Sequence, residues 1–390
     1  MIKLEEGKFN MHVAKVYSDQ LIEVTNSKLL KEFVDFPLEL YKDNPYFVPS
    51  IKRSELKNLT PNNNPASKFC KSKKWLIYKD DKVAGRIAGI INYRHIEITG
   101  NDQARFSWLD FIDENETADT LLKTVEDWAV SEGMKSIIGP YGFTNFDPHG
   151  LLIEGFNELA TSSSNYNYPY YRKALERNGY EKAVDWVEYS IKVPDGIPEK
   201  MKRVADIAEQ RNELYIPEVK SSGDLLKYRD QFFNVLNQSY KEIFGMVPLD
   251  EEQKEELYEG YFKFLDPRYV CLVLDKNEKL AAFGISVPSV SKALQKSGGN
   301  LYPFGIYHLW RAMKKNDTID LLLIGVRPDL QNKGVNSILF RELIPRYIEN
   351  GIKYVETTQN QDNNERVQAQ WKYFDGRQHK RSRCYVKRLD

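Results

Sequence analysis

Net charge is absent: the 390 residues carry 56 Lys and Arg against 56 Asp and Glu. Without an overall positive field there is nothing to hold a phosphate backbone, which argues against a general nucleic-acid binder. Cysteine is scarce, with 3 residues at Cys70, Cys271 and Cys384. So few, so widely spaced, form neither a disulfide framework nor a zinc site. No metal is expected, and Cys271, inside an apolar run, is expected in the core. No apolar run approaches the length of a membrane span, and the opening residues do not read as a secretory leader. The expectation is a soluble, cytoplasmic protein, with room for transient contact at a membrane surface. The chain is long for a single core, so two domains are expected.

What is present is an order of elements that occurs twice. Leu21–Thr25 reads as a strand and Leu29–Tyr41 as a helix. A hairpin follows across Asp80–Lys82, then a strand over Arg105–Ile112. Glu116–Glu132 has Leu121, Leu122, Val125 and Trp128 on one face, with Gly133 as a stop. Ser136–Ile138, Tyr168–Asn178 and Val187–Val193 close the first round. After Pro194 comes a strand over Tyr215–Val219, then helices over Leu225–Ile243 and Asp250–Leu265. Another hairpin leads to Asp320–Val326, a helix from Gly334, Tyr354–Thr357, Glu365–Phe374 and Ser382–Lys387. Hairpins followed by alternating strands and helices indicate an α/β chain with mixed pairing. The expected boundaries are 1–195 and 196–390, with Pro198–Asn212 as a linker helix. The basic run Arg377–Arg388 reads as the solvated face of a terminal strand.

The most informative stretch is V-R-P-D-L-Q-N-K-G-V-N-S-I-L-F, Val326 to Phe340. An apolar strand enters it and an amphipathic helix leaves it. Successive loop N–H groups and a helix N-terminus then face one spot, which favours an anion there. Gly334 permits close backbone approach, and Lys333 supplies a positive charge.

The spacing of Gln331, Gly334 and Asn336 resembles the [R/Q]-x-x-G-x-[G/A] motif of the GNAT superfamily, the Gcn5-related N-acetyltransferases. Asn336 departs from the motif's small residue. The resemblance implies two tandem GNAT-like domains, each a mixed, mostly antiparallel sheet flanked by helices. It implies that Gln331, Asn332, Lys333, Gly334, Val335 and Asn336 hold the diphosphate of acetyl-CoA or another acyl-CoA, bound as substrate. It also implies that a backbone N–H near Ile324 to Val326, where the strand splays, holds the oxyanion. Ala369 and Tyr373 fit the family's spacing for a tyrosine on the fourth helix that protonates the departing thiolate, with Arg366 where Asn is usual. Asp320 stands where relatives carry a carboxylate that takes the amine's proton, and Glu356 competes for that role. Packing of Tyr373 on the sheet and plain solvation of the carboxylates are the alternatives.

The first half lacks the phosphate signature. After its fourth strand it reads D-F-I-D-E-N-E-T, Asp110 to Thr117, with carboxylates that suit a helix N-terminus and repel a diphosphate. It is expected to bind no coenzyme A and to lend a loop, Gly139–Tyr171, to the substrate. In that loop Asn145, Asp147, Tyr168 and Tyr171 are candidate substrate contacts and His149 a candidate base. The alternative is a loop closed on its own aromatics, with His149 bonded to a carbonyl. Its G-P-Y-G-F and Y-N-Y-P-Y-Y runs resemble bacterial GNAT-like proteins, some linked to N-acylation of long-chain amino-alcohols in ceramide formation. The leading expectation is an acyl-CoA-dependent N-acyltransferase acting on a small or lipid-like amine. The rival is a non-catalytic ligand-binding protein on a degenerate tandem fold. A peptidoglycan-bridge aminoacyltransferase is disfavoured, because no heptad stretch supplies its coiled-coil arm.

Overall fold

The computed structural model describes residues 20–371 and 373–389. The first half contributes strands β1 (Gln20–Glu23), β2 (Cys70–Lys79), β3 (Lys82–Asn92), β4 (Gln103–Phe111), β5 (Ser136–Gly139), β6 (Leu151–Glu154) and β7 (Glu181–Lys192). The second contributes β8 (Leu214–Tyr215), β9 (Val270–Asp275), β10 (Leu280–Pro288), β11 (Thr318–Val326), β12 (Tyr354–Thr357), β13 (Asn360–Gln361) and β14 (Gly376–Arg388). The central strands are apolar and buried on both faces. In the first half Ile77, Ile87, Phe106 and Ile137 share a core with Leu121, Leu122 and Val125 of helix Asn115–Ser131. In the second, Ile319 and Leu321 pack under helices Glu199–Arg211 and Val335–Glu349. Cys271 is buried, as its apolar neighbours predict.

The strands form one sheet, in the order β1-β2-β3-β4-β5-β14-β7-β12-β11-β10-β9-β8. The two halves exchange their last long strands. β14, the end of the chain, lies between the first half's β5 and β7. β7 in turn pairs with the second half's β12. β14 therefore lies inside the sheet, and the middle of the basic run is buried rather than solvated, which corrects that expectation, while Arg377 and Arg388 at its ends stay exposed. Lys380 is 2% exposed, and Arg381 and Arg383 both bond the buried Asp185 carboxylate. A terminal strand need not be an edge strand, and the exchange puts this one in the middle.

Other boundaries shift as well. The helix expected over Leu225–Ile243 is two, Ser222–Leu226 and Arg229–Ser239. The segment between β10 and β11 holds two unforeseen helices, Ser291–Ser297 and Gly305–Lys314, and β6 lies inside what reads as loop. The Arg366 side chain lies outside the described residues.

Candidate functional site

β11 and β12 run parallel from Thr318↔Tyr354 to Leu321↔Thr357, and their pairing ends there. β11 also carries a bulge against β10 between Leu321 and Leu323, so beyond Leu321 its second edge turns away from β12. Thr358 bridges the start of this opening, its N–H to Leu321 O and its hydroxyl to Leu322 O. Farther along, the Tyr240 hydroxyl donates to Ile324 O at 3.1 Å. Burial pushes that phenol up to about 12, so it keeps its proton.

At the far end of β11 the chain makes a short 3-10 turn, Pro328–Leu330, and enters helix Val335–Glu349. Asn332 and Gly334 have left-handed backbones, with φ of +61° and +78°. Gly334 is required twice over: a Cβ there would stand 2.6 Å from Val204 Cγ1. Among the described residues, the consecutive N–H groups from Asn332 to Asn336 meet no acceptor. They form a donor-lined turn at the positive end of a helix dipole, with Lys333 exposed beside it. Gln331 and Asn336 are occupied otherwise. The Gln331 amide donates to Val326 O at 3.1 Å, closing the turn, and the Asn336 amide donates to Gln370 at 3.2 Å. Arg327 is likewise committed, to Asp275 and Asp329.

Asp320 and Glu356 are register partners just before the opening. Asp320 is 2% exposed, and among the described residues no donor meets either of its oxygens in hydrogen-bond geometry. Burial, with the Glu356 carboxylate adding repulsion, pushes its pKa up to about 7; the nearby Ser289 hydroxyl and Lys380 oppose only part of that rise. Glu356 Oε2 lies 2.9 Å from His379 Nε2, and the other ring nitrogen lies 3.4 Å from Glu158. The Glu356–His379 approach is close but poorly angled, since neither atom counts as hydrogen-bonded. Alongside, Lys380 pairs with Glu188 at 2.8 Å, and Glu188 accepts the Ser164 hydroxyl. Strand exchange builds this polar band from both halves. Sequence reasoning missed His379, Lys380, Glu188 and Glu158, and the only signal was the basic run itself.

The remaining expected residues lie apart. Tyr373 follows helix Glu365–Trp371 in a turn rather than standing on it, 38% exposed, with Lys200 over its ring. In the long loop, Asp147 accepts the Thr144 N–H and the Asn58 amide, and so closes its own turn. Asn145 donates to Phe244 O across the halves. His149 Nδ1 sits 3.0 Å from Asp147 O, and its ring packs on Trp186. Burial drives its pKa down to about 4, so it is neutral. The loop is thus closed on its own aromatics, although Gln359, just past the opening, donates to His149 O. Tyr171 is fully buried and Tyr168 packs between Tyr41 and Tyr170. The Tyr171 hydroxyl accepts the Phe111 N–H at the end of β4 and bonds Tyr41 and Asp110. Asp110 itself is neutralised by Arg86 at 2.7 Å. A cavity of about 110 Å³ in this half is bounded by Tyr41, Trp108, Asp110, Ser164 and Tyr166, too small for a nucleotide.

Among the described residues, no cluster of metal-ligating side chains and no helix long and apolar enough to cross a membrane is found. Residues 229–374 match the acetyltransferase (GNAT) family. Protein YghO of Escherichia coli (strain K12) is 25% identical over 322 residues, covering 82% of this chain and 81% of the relative. A protein named bacterial ceramide synthase, from Caulobacter vibrioides, is 24% identical over 319 residues, 80% and 81% of the two chains. Among solved structures, a tandem GNAT protein from the clavulanic acid biosynthesis pathway superposes with a TM-score of 0.55 at 11% identity, over 96% of this chain and 99% of that one. A GCN5-related N-acetyltransferase from Sphaerobacter thermophilus gives 0.52 at 11% identity, over 95% and 96%. The donor-lined turn at Gly334 and the split strands lie within the residues that match the acetyltransferase (GNAT) family, and the chain as a whole has the fold of a tandem GNAT protein.

Proposed function

We propose that the protein is an acyl-CoA-dependent N-acyltransferase whose cofactor site lies in the second half. The observation that carries this reading is the run of N–H groups from Asn332 to Asn336 that meet no acceptor among the described residues, at the mouth of the β11–β12 opening. A diphosphate bound there would lay the thioester arm along the free edge of β11. A neutral amine attacks the thioester carbonyl, forming the C–N bond. Asp320, ionised about half the time near neutral pH, takes the amine's proton through water. Backbone N–H groups along Ile324–Val326 receive the oxyanion. As the C–S bond breaks, the thiolate takes a proton from a phenol. Tyr240, on the open edge at Ile324, is better placed for this than the exposed Tyr373.

The first half holds no coenzyme A in this proposal, because Tyr171 already occupies the Phe111 N–H that an incoming arm would need. Its role is to complete the polar band through Glu188, Glu158 and Ser164. The acceptor is a small or lipid-like amine. A long acyl chain on a lipid-like amine is the sharper form, supported by the relative named as a ceramide synthase. Action in the cytoplasm belongs to the same proposal.

The test is coenzyme A release, followed with a thiol reagent, using acetyl-CoA and palmitoyl-CoA against a panel of amines. Release with at least one pair, lost in Asp320→Asn, is expected. Folded protein that binds acyl-CoA but turns over no pair would favour the ligand-binding reading, to which the Asn336–Gln370 bond lends some support.

A further inference from the structure

The 29 residues between β10 and β11, positions 289–317, form a helical hairpin of Ser291–Ser297 and Gly305–Lys314. Its inner side is fixed to the first half. Leu294 and Leu309 pack with Tyr41, Val48 and Tyr166. Gln295 donates to Pro45 O and Phe47 O, and the Lys52 N–H donates to Gly299 O. Among the described residues the outer side has no such cover. Tyr302 and Phe304 are each 70% exposed, Trp310 57%, Tyr307 54% and Ile306 46%. Exposed apolar side chains gathered on one short element differ from scattered ones: they mark a surface that meets something apolar.

Charge identifies what that is. Positions 291–316 hold Lys292, Lys296, Arg311, Lys314 and Lys315, and no Asp or Glu, in a chain whose net charge is zero. All five cations are exposed. A symmetric dimer through this face would set the basic patch against itself, which repels. Aromatic rings with polar edges, ringed by Lys and Arg, match the headgroup layer of a bilayer carrying anionic lipid. We infer that this hairpin docks the protein on an anionic membrane surface. The hairpin rises from the strand ends next to Asp320: the Ser289 N–H donates to Thr318 O, and Asn316 donates to Ser289 O. A lipid-like acceptor leaving the bilayer would therefore arrive at the buried-carboxylate end of the opening, away from the diphosphate turn. Docking itself needs no acyl transfer, so the two readings fail independently.

The test is co-sedimentation of the full chain with vesicles of phosphatidylcholine alone or mixed with phosphatidylglycerol. Binding to the anionic vesicles, weakened by salt, is expected. It should fall at least about tenfold in Phe304→Ser/Trp310→Ser and in Lys314→Glu/Lys315→Glu. It should persist in Ile207→Ser, an exposed apolar residue of helix Glu199–Arg211. Circular dichroism and thermal melting verify that each variant is folded. No vesicle binding, binding indifferent to both double variants, or self-association abolished by the same substitutions would overturn the proposal.

Discussion

Replacing Asp320 by Asn should stabilise the fold in alkaline solution while abolishing turnover. The side chain is almost wholly buried, and its pKa stands at about 7 against an ordinary 3.8. Below 3.8 the folded and unfolded chains both hold the proton. Between 3.8 and about 7 the unfolded chain has released it and the folded chain has not, so stability falls as pH rises through that window. Above it the penalty levels off at about 4 kcal/mol. An amide cannot ionise, and its N–H can donate to Glu356. Its own imperfect burial costs roughly 1–3 kcal/mol, but equally at every pH. The decisive quantity is thus the change in the gap between variant and parent. The variant should gain roughly 2.5 kcal/mol on the parent between about pH 5 and about pH 8. Guanidinium unfolding at the two pH values measures it, with coenzyme A release followed in parallel. A gap that stays constant, or closes toward alkaline pH, would refute the burial argument and with it the role of Asp320 as a poised base.

Gly334→Ala should cost roughly 1–3 kcal/mol by thermal melting and weaken acyl-CoA binding by titration. Gly351→Ala, at a φ of +72° with open space around it, isolates the backbone cost from the Val204 clash; equal effects at both positions would remove the argument for close packing at the turn. Lys380→Met leaves Glu188 buried and unpaired and should destabilise by about 3–5 kcal/mol. Adding Glu188→Leu should recover much of that loss in denaturant unfolding, and no recovery would show that the pair is not the relevant unit. Cutting the chain between β7 and helix Glu199–Arg211 should leave two fragments that co-elute without denaturant, because β14 remains locked between β5 and β7. Free separation of the fragments would contradict the strand exchange.

Local patterns were enough to identify much of this protein. The period of Leu121, Leu122, Val125 and Trp128 gave a helix and its buried face, and hairpin turns gave β2–β3 and β9–β10. The strand, turn and helix around Gly334 were legible too, since a glycine between an apolar run and an amphipathic one is a statement about adjacent residues. Two assignments turned on long-range information. Tyr373 matched a spacing but emerged on the surface, because the helix before it stops at Trp371. The loop polar groups Asp147 and His149 turned out to satisfy their own backbone, which composition cannot distinguish from a site.

Sequence alone determined most of the elements, their twofold order and the strand–turn–helix around Gly334, all set by neighbours within a few residues. Only the tertiary structure decided that β14 crosses into the other half, bringing Lys380 and His379 beside Glu188 and Glu356. Burial and pairing depend on which strand lies alongside, and the residues of that strand are separated from their partners by up to most of the chain. The basic run near its end could therefore be read as solvated until the sheet order was known.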